Sequence, residues 1–313
     1  MARPQSVALV GPSGIGQIHA REFHRAGMPV TAVLASTPER SRNAAESLIK
    51  EFGTAVEACA SLEEISAASI DAAVICSPPE KHLEAIDAFL EADKYVLCEK
   101  PLFWQDGLST GAVGELCKQL EARAAGRLVV NTNNTWFPEI WFERHRKPVK
   151  LDEFGFHFHT NGPFRGDAIG VDLLPHALSV LLEIIPGDYS DSVLADIEKT
   201  VSDNRFTCSF DCAGIRCDID LRQSSDCDRA FGFRANEISV ERIQRIVDGE
   251  YTVLLAPDGH AEEAVEVADP FEISIRRFVD GVAAGRRFDL EMARAGQVMT
   301  MMTQIMTTSS TAV

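Results

Sequence analysis

The 313-residue sequence has no apolar run approaching the ~20 residues of a membrane-spanning helix, and its opening residues, MARPQS, carry no apolar leader core. Both absences lead to the expectation of a cytoplasmic chain. Basic charge is scarce as well: 30 Lys and Arg stand against 47 Asp and Glu, a formal charge of −17. Such a chain repels polyanions and offers no basic stripe, so nucleic acid is not an expected partner. Close cysteine pairs are also missing. Among the eight cysteines, the set Cys208, Cys212, Cys217 and Cys227 lacks the tight ligand spacing of a structural zinc site, and no metal is expected. The first three fall instead on one face of FTCSFDCAGIRCDIDL. There Phe206, Cys208, Phe210 and Cys212 alternate with Thr207, Ser209 and Asp211, and the alternation resumes after Ala213-Gly214 with Ile215, Cys217, Ile219 and Leu221. This is the pattern of a half-buried hairpin with small cysteines in its core.

What is present is an ordinary globular composition, 45% hydrophobic and 7% aromatic, at a length where one core divides into two. Short runs rich in β-branched residues, Val7 to Val10, Val30 to Ala35, Ala72 to Cys76, Tyr95 to Cys98 and Leu128 to Val130, alternate with segments of helical apolar spacing such as PERSRNAAESLIKEFG. Strands buried on both faces and joined by helices make a doubly wound α/β domain with a parallel sheet, assigned to residues 1–128. Residues 129–313 change character. DEFGFHFHT and the cysteine hairpin read as antiparallel strands, broken by an apolar helix from about His176 to Ile185 and closed by a helical pair. The expected second domain is therefore α+β, with a largely antiparallel open sheet.

The stretch VALVGPSGIGQIHAREF runs from a strand through a glycine-rich turn into a helix. In a Rossmann dinucleotide turn one glycine allows the bend, a second the approach of the pyrophosphate, and a third close packing. Gly11 and Gly16 fill the outer roles, while Ser13 takes the middle position, flanked by Gly14 and Ile15. The Ser13 hydroxyl is itself a phosphate donor, and the following helix N-terminus faces an anion. About twenty residues on, an NAD site carries an acid on the ribose 2′-hydroxyl. Here Ala35 is followed by Ser36, Thr37 and Arg40, which repel nothing and suit a 2′-phosphate; NADP(H) is the expected cofactor. Thr37 with Pro38 also reads as a helix cap.

From DAAVICSPPEKHLEAIDAFLEADKYVLCEKPL onward, with Ser77-Pro78-Pro79, His82, Glu99-Lys100-Pro101 and the closing DPFEISIRRFVDGVAAGRRF, the chain resembles the Gfo/Idh/MocA oxidoreductases, named for glucose-fructose oxidoreductase and inositol dehydrogenase. The resemblance covers nearly the whole length. It implies that Lys100 lies beside nicotinamide and substrate, that Ser77, Pro78, His82 and Glu99 belong to the cofactor side, and that Asp172 and His176 in GVDLLPHALSVLLEII match a D-x-G-x-H motif at the start of a helix. At such a start Asp172 doubles as an N-cap, Pro175 sits harmlessly in the first turn, and the helix end favours neutral imidazole at His176. Two positions depart from the pattern: Leu174 replaces the motif glycine and narrows the pocket, and Ser179 replaces a frequent Asp. VVNTNNTWFPEIWF lacks an arginine common in such enzymes, leaving Asn133, Asn134 and Trp136, with Arg165, as substrate candidates; Trp136 and Phe137 read equally as core.

The expected activity is transfer of a hydride between NADP(H) and the hydroxyl or carbonyl carbon of a small polar, sugar-like substrate. His176 would act as acid or base and Lys100 would stabilise the substrate oxygen. Reduction of an imine, and a regulator that binds NADP(H) without catalysis, stay open beside it. The open sheet is expected to pair with a second copy, giving a homodimer or larger assembly.

Overall fold

A computed structural model of the protein describes residues 5–185, 194–247 and 250–310. The chain divides into two compact units, one of Met1–Gly107, Leu116–Asn133 and Phe271–Ala295, the other of Leu108–Glu115, Asn134–Pro270 and Gly296–Val313.

In the first unit, strands β1 (Val7–Val10), β2 (Val30–Leu34), β3 (Glu57–Cys59), β4 (Ala72–Ile75), β5 (Tyr95–Cys98) and β6 (Leu128–Val130) form one parallel sheet in the order β3-β2-β1-β4-β5-β6. The helices α1 (Ile15–Arg25), α2 (Pro38–Phe52), α3 (Leu62–Ser66) and α4 (His82–Glu91) connect its strands, and α5 (Thr110–Ala124) precedes β6. This is the doubly wound Rossmann arrangement read from the alternating pattern, and the strand order reverses between β1 and β4, where such sheets bind ligands. The sequence reading keeps residues 271–295 with the second domain. In the structure Ile275, Phe278, Val279, Val282 and Phe288 instead join the buried cluster of Val7, Leu9, Phe23, Val74 and Leu97, because an apolar stripe recurring at helical spacing finds its burial there.

The second unit contains α6 (Trp136–Arg144), α7 (Asp167–Ile184) and the strands β7 (Glu153–Thr160), β8 (Leu194–Val201), β9 (Arg205–Cys212), β10 (Ile215–Gln223), β11 (Ala230–Ala235), β12 (Ile238–Val247), β13 (Glu250–Pro257) and β14 (Val265–Val267). They make an eight-stranded sheet, β14-β13-β12-β11-β7-β10-β9-β8, antiparallel except for the β7–β10 pair. The cysteine hairpin has the expected register: Ile215 opposes Cys212, and Ala213 and Gly214 turn the chain with φ of 53° and 82°. Cys208, Cys212 and Cys217 are buried and unbridged, and Cys227 is half-buried. α7 packs across β7, β9 and β10. The chain ends with α8 (Pro270–Ala283) and α9 (Asp289–Thr307), and among the described residues no helix is long and apolar enough to cross a membrane.

Candidate active site

The turn after β1 owes its shape to two glycines. Gly11 has φ of +83°, and a Cβ there would stand 2.6 Å from the Cys76 carbonyl carbon, so only glycine lets this turn pass the end of β4. A Cβ on Gly16 would lie 2.1 Å from the Gly11 carbonyl oxygen. Gly14, with φ of 57°, is the N-cap of α1 and supplies no side-chain acceptor, whereas Thr37 caps α2 and Ser61 caps α3. The first N–H groups of α1, beginning at Ile15, are therefore served by no capping side chain, which is the condition for holding an anion.

Beside this turn lies a cavity of about 960 Å³ whose wall includes Gly11, Ser13, Ser36, Arg40, Ser77 and Pro78. These six sequence candidates are brought together. At the end of β2, Arg40 Nη1 donates to Ser36 Oγ at 3.0 Å, and the Ala35 N–H donates to Ser41 Oγ at 2.9 Å. Thr37 plays the other role read for it: its hydroxyl accepts from Arg40 N at 3.2 Å and starts α2. The wall also carries Lys81, Glu51 and Glu84.

Past the carboxyl ends of β1, β4, β5 and β6 the next residues form a row, because Cys76 N bonds Val10 O, Glu99 N bonds Ile75 O and Asn131 N bonds Cys98 O, each within 2.9 Å. Glu99, the residue that follows β5, is buried and accepts from His19 Nε2 at 2.6 Å and from Asn131 Nδ2 at 2.7 Å. Burial pushes its carboxyl up, but these two hydrogen bonds and the Lys100 charge outweigh burial and hold it below the usual carboxylate value. The Lys100 N–H donates to the same carboxylate at 3.3 Å, and the Lys100–Pro101 peptide is cis. His82 sits behind the row, with Nε2 2.7 Å from Ser77 O and Nδ1 3.0 Å from Pro101 O, tying together the segments that follow β4 and β5. Burial lowers its pKa, against the pull of these carbonyl oxygens, which raises it.

In the second unit the expected start of α7 is corrected. The helix begins at Asp167 behind the N-cap Gly166, so Asp172 is not a cap, Pro175 lies inside the helix, and His176 is roughly in the third turn. The helix-end field dies away within the first turn, so it does not set the charge of His176. What the longer helix preserves is the i, i+4 spacing, which puts Asp172 and His176 on one side of α7. The Asp172 Oδ2 accepts from Gln223 Nε2 at 2.5 Å, while Gln223 Oε1 accepts from Phe164 N at 3.0 Å. The His176 ring meets the Phe158 ring edge to face at 5.4 Å. Leu174 is wholly buried with the core residues of α7, and Ser179 Oγ donates to His176 O at 3.0 Å. Arg165 is drawn into the loop before α7, donating from Nη1 to Phe164 O at 2.7 Å and to Gly162 O at 3.3 Å. Asn133 and Asn134 are buried, Trp136 is half-buried, and Phe137 packs on Phe231 with centroids 5.0 Å apart, as a core aromatic does.

Four residues of these surroundings escape the motif reading: His19, Asn131, Gln223 and Arg242. Their signal is a polar residue on an inward position. Gln223 ends the inward series Ile215, Cys217, Ile219, Leu221, and Arg242 follows Ile238 and Val240. The Arg242 guanidinium lies 4.6 Å from the Phe231 centroid and 5.4 Å from that of Phe158.

A parallel sheet with this strand order, this glycine turn and a cavity at the switch point defines a dinucleotide-binding protein. Comparison with known proteins carries the assignment further. Residues 5–130 match the family described as "Oxidoreductase family, NAD-binding Rossmann fold". An inositol 2-dehydrogenase of Acidiphilium cryptum is 25% identical over 304 residues, 89% of this chain and 86% of that protein. Among solved structures, a UDP-N-acetylglucosamine 3-dehydrogenase from Acidithiobacillus ferrooxidans aligns at TM-score 0.71 and 17% identity, over 96% of each chain. A 3-ketoreductase from Actinomadura kijaniata, in complex with TDP-benzene and NADP, aligns at 0.69 and 16% identity, over 99% of each. Residues 5–130 thus match the NAD-binding Rossmann domain of the Gfo/Idh/MocA oxidoreductases, and the chain as a whole is similar to dehydrogenases of that kind.

Proposed function

We propose that the protein is an NADP(H)-dependent oxidoreductase that interconverts a hydroxyl and a carbonyl on a small, polar, sugar-like substrate. The observation that carries the cofactor choice is the end of β2, where Ala35 replaces a carboxylate and the hydrogen-bonded Ser36 and Arg40 stand in the cavity wall. A guanidinium there pairs with a 2′-phosphate, and position 35 carries no carboxylate to take the ribose hydroxyl in its place. The tight Gly11–Gly16 turn, which a Cβ would force against neighbouring backbone, and the uncapped start of α1 fit a pyrophosphate. When bound, the cofactor donates or accepts the hydride. Lys100 holds the substrate oxygen and stabilises its negative charge. His176 exchanges the hydroxyl proton, and Asp172, whose carboxylate is fixed by Gln223, orients the substrate. The names of the relatives, inositol 2-dehydrogenases and sugar-nucleotide 3-dehydrogenase or 3-ketoreductase, support hydroxyl/carbonyl chemistry over imine reduction.

The same reading gives the first unit to the cofactor and the second to substrate binding and self-association. The side of the eight-stranded sheet bearing His157, His159, Ser209, Asp218 and Asp220 is polar and meets a second copy in a homodimer. The test of function is NADPH absorbance with a panel of keto-sugars, run beside the variant Lys100→Met. The wild type is expected to consume NADPH on some member of the panel, and the variant to lose turnover while still binding cofactor. Full activity of the variant would refute the role of Lys100, and cofactor binding without turnover across a broad panel would favour a regulator.

A further inference from the structure

Asn131, directly after β6, has no role in the reading above. It is 3% exposed, and its Nδ2 donates to Glu99 Oε1 at 2.7 Å. An ionised carboxylate only accepts, so the side-chain amide is not free to turn over: nitrogen must meet Glu99, and Oδ1 must point elsewhere. His19 reinforces this by donating to the same carboxylate oxygen. The charged and titratable groups around Glu99 are His19 from α1, Cys76 beyond β4, His82 from α4, and Cys98 and Lys100 on its own segment. Asn131 Oδ1, thus oriented, is buried and has no hydrogen-bond partner among the described residues. Ser77 Oγ, two strands away beyond β4, is in the same condition. Buried polar atoms normally find partners, and two orphans along the carboxyl edge of β4–β6 mark the half of the crevice that receives the second nucleotide of a dinucleotide.

We propose that Asn131 contacts the cofactor: its side-chain oxygen accepts a hydrogen bond from an N–H or O–H donor on the nicotinamide half, either the carboxamide or the ribose hydroxyls. Glu99 and His19 act as positioning residues that fix the amide in the accepting orientation. The assignment rests on the reading that this crevice holds NADP(H).

Isothermal titration of the wild type and Asn131→Ala with NADPH, NADH and two fragments without nicotinamide, 2′-phospho-ADP-ribose and ADP-ribose, tests it. Loss of one hydrogen bond is expected to weaken both intact cofactors by about tenfold and leave both fragments unchanged. Unchanged cofactor affinity, or an equal loss for fragments and cofactors, would overturn the proposal. If alanine fails to fold, Asn131→Ser, which keeps a donor for Glu99, repeats the comparison. The 3-acetylpyridine analogue of NADPH lacks the carboxamide N–H. A penalty for this analogue in the wild type alone identifies that group as the donor, and no penalty identifies the ribose. Should neither cofactor nor fragment bind the wild type, the dinucleotide reading itself is what fails.

Discussion

Gly16 works through the side chain it lacks: with backbone only 2.1 Å from where a Cβ would sit, nothing flexible can yield. Gly16→Ala is expected to cost about 1–3 kcal/mol and to weaken cofactor binding, measured by urea unfolding and by titration. At the end of β2 the discriminating groups are few, so discrimination should be movable. Arg40→Ala is expected to weaken NADPH by about tenfold or more with little effect on NADH, and Ala35→Asp to reverse the preference. Glu99 gives a pH signature. Its carboxyl titrates below the usual value in the folded protein, so its stabilising contribution is full above the unfolded carboxylate range near ~4.3 and is lost as pH falls through the lower folded value. The gap in urea midpoint between wild type and Glu99→Gln should therefore be widest at neutral pH and shrink in acid; a gap independent of pH would contradict the assignment.

At the scale of elements, the hairpin at Ala213-Gly214 shows how little a turn needs when its strands are well patterned. Both turn residues have positive φ, which suits Gly214 but costs Ala213. Ala213→Asn is expected to raise stability by about 0.5–1 kcal/mol in chemical denaturation, because asparagine tolerates the left-handed region better. The legible strands of the first sheet are short apolar runs rich in β-branched residues, whereas Glu57-Ala58-Cys59 contains no β-branched residue and opens on a charge, so it carries no such signal. α7 misled for a physical reason. An Asp followed three residues later by Pro has the look of a helix start, yet the helix runs on upstream to Gly166, because its almost wholly buried face rewards continuation past a proline that local rules would forbid. Lys100, Asp172 and His176 could be named because their segments resemble the motifs of a known family. Asn131 and His19 could not, since their meaning lies in converging on Glu99 from β6 and α1, which only the folded sheet brings about.

For the whole molecule, a formal charge of −17 makes an anionic dinucleotide an unfavourable visitor except where the fold concentrates donors. Those donors are the start of α1 and the Ser36–Arg40 pair, both in the first unit. Binding there must stabilise the folded chain by mass action, by roughly 2.7 kcal/mol at a hundredfold excess over the dissociation constant. A rise in melting temperature with NADPH, blunted at equal concentration in Arg40→Ala, is the expected calorimetric result. The most direct measurement is the pair of dissociation constants of the wild-type protein for NADPH and NADH, taken by fluorescence titration under one set of salt conditions. NADPH is expected to bind at least about tenfold more tightly, as one charge-assisted contact to the 2′-phosphate requires; tighter binding of NADH, or no binding of either, would contradict the proposed function.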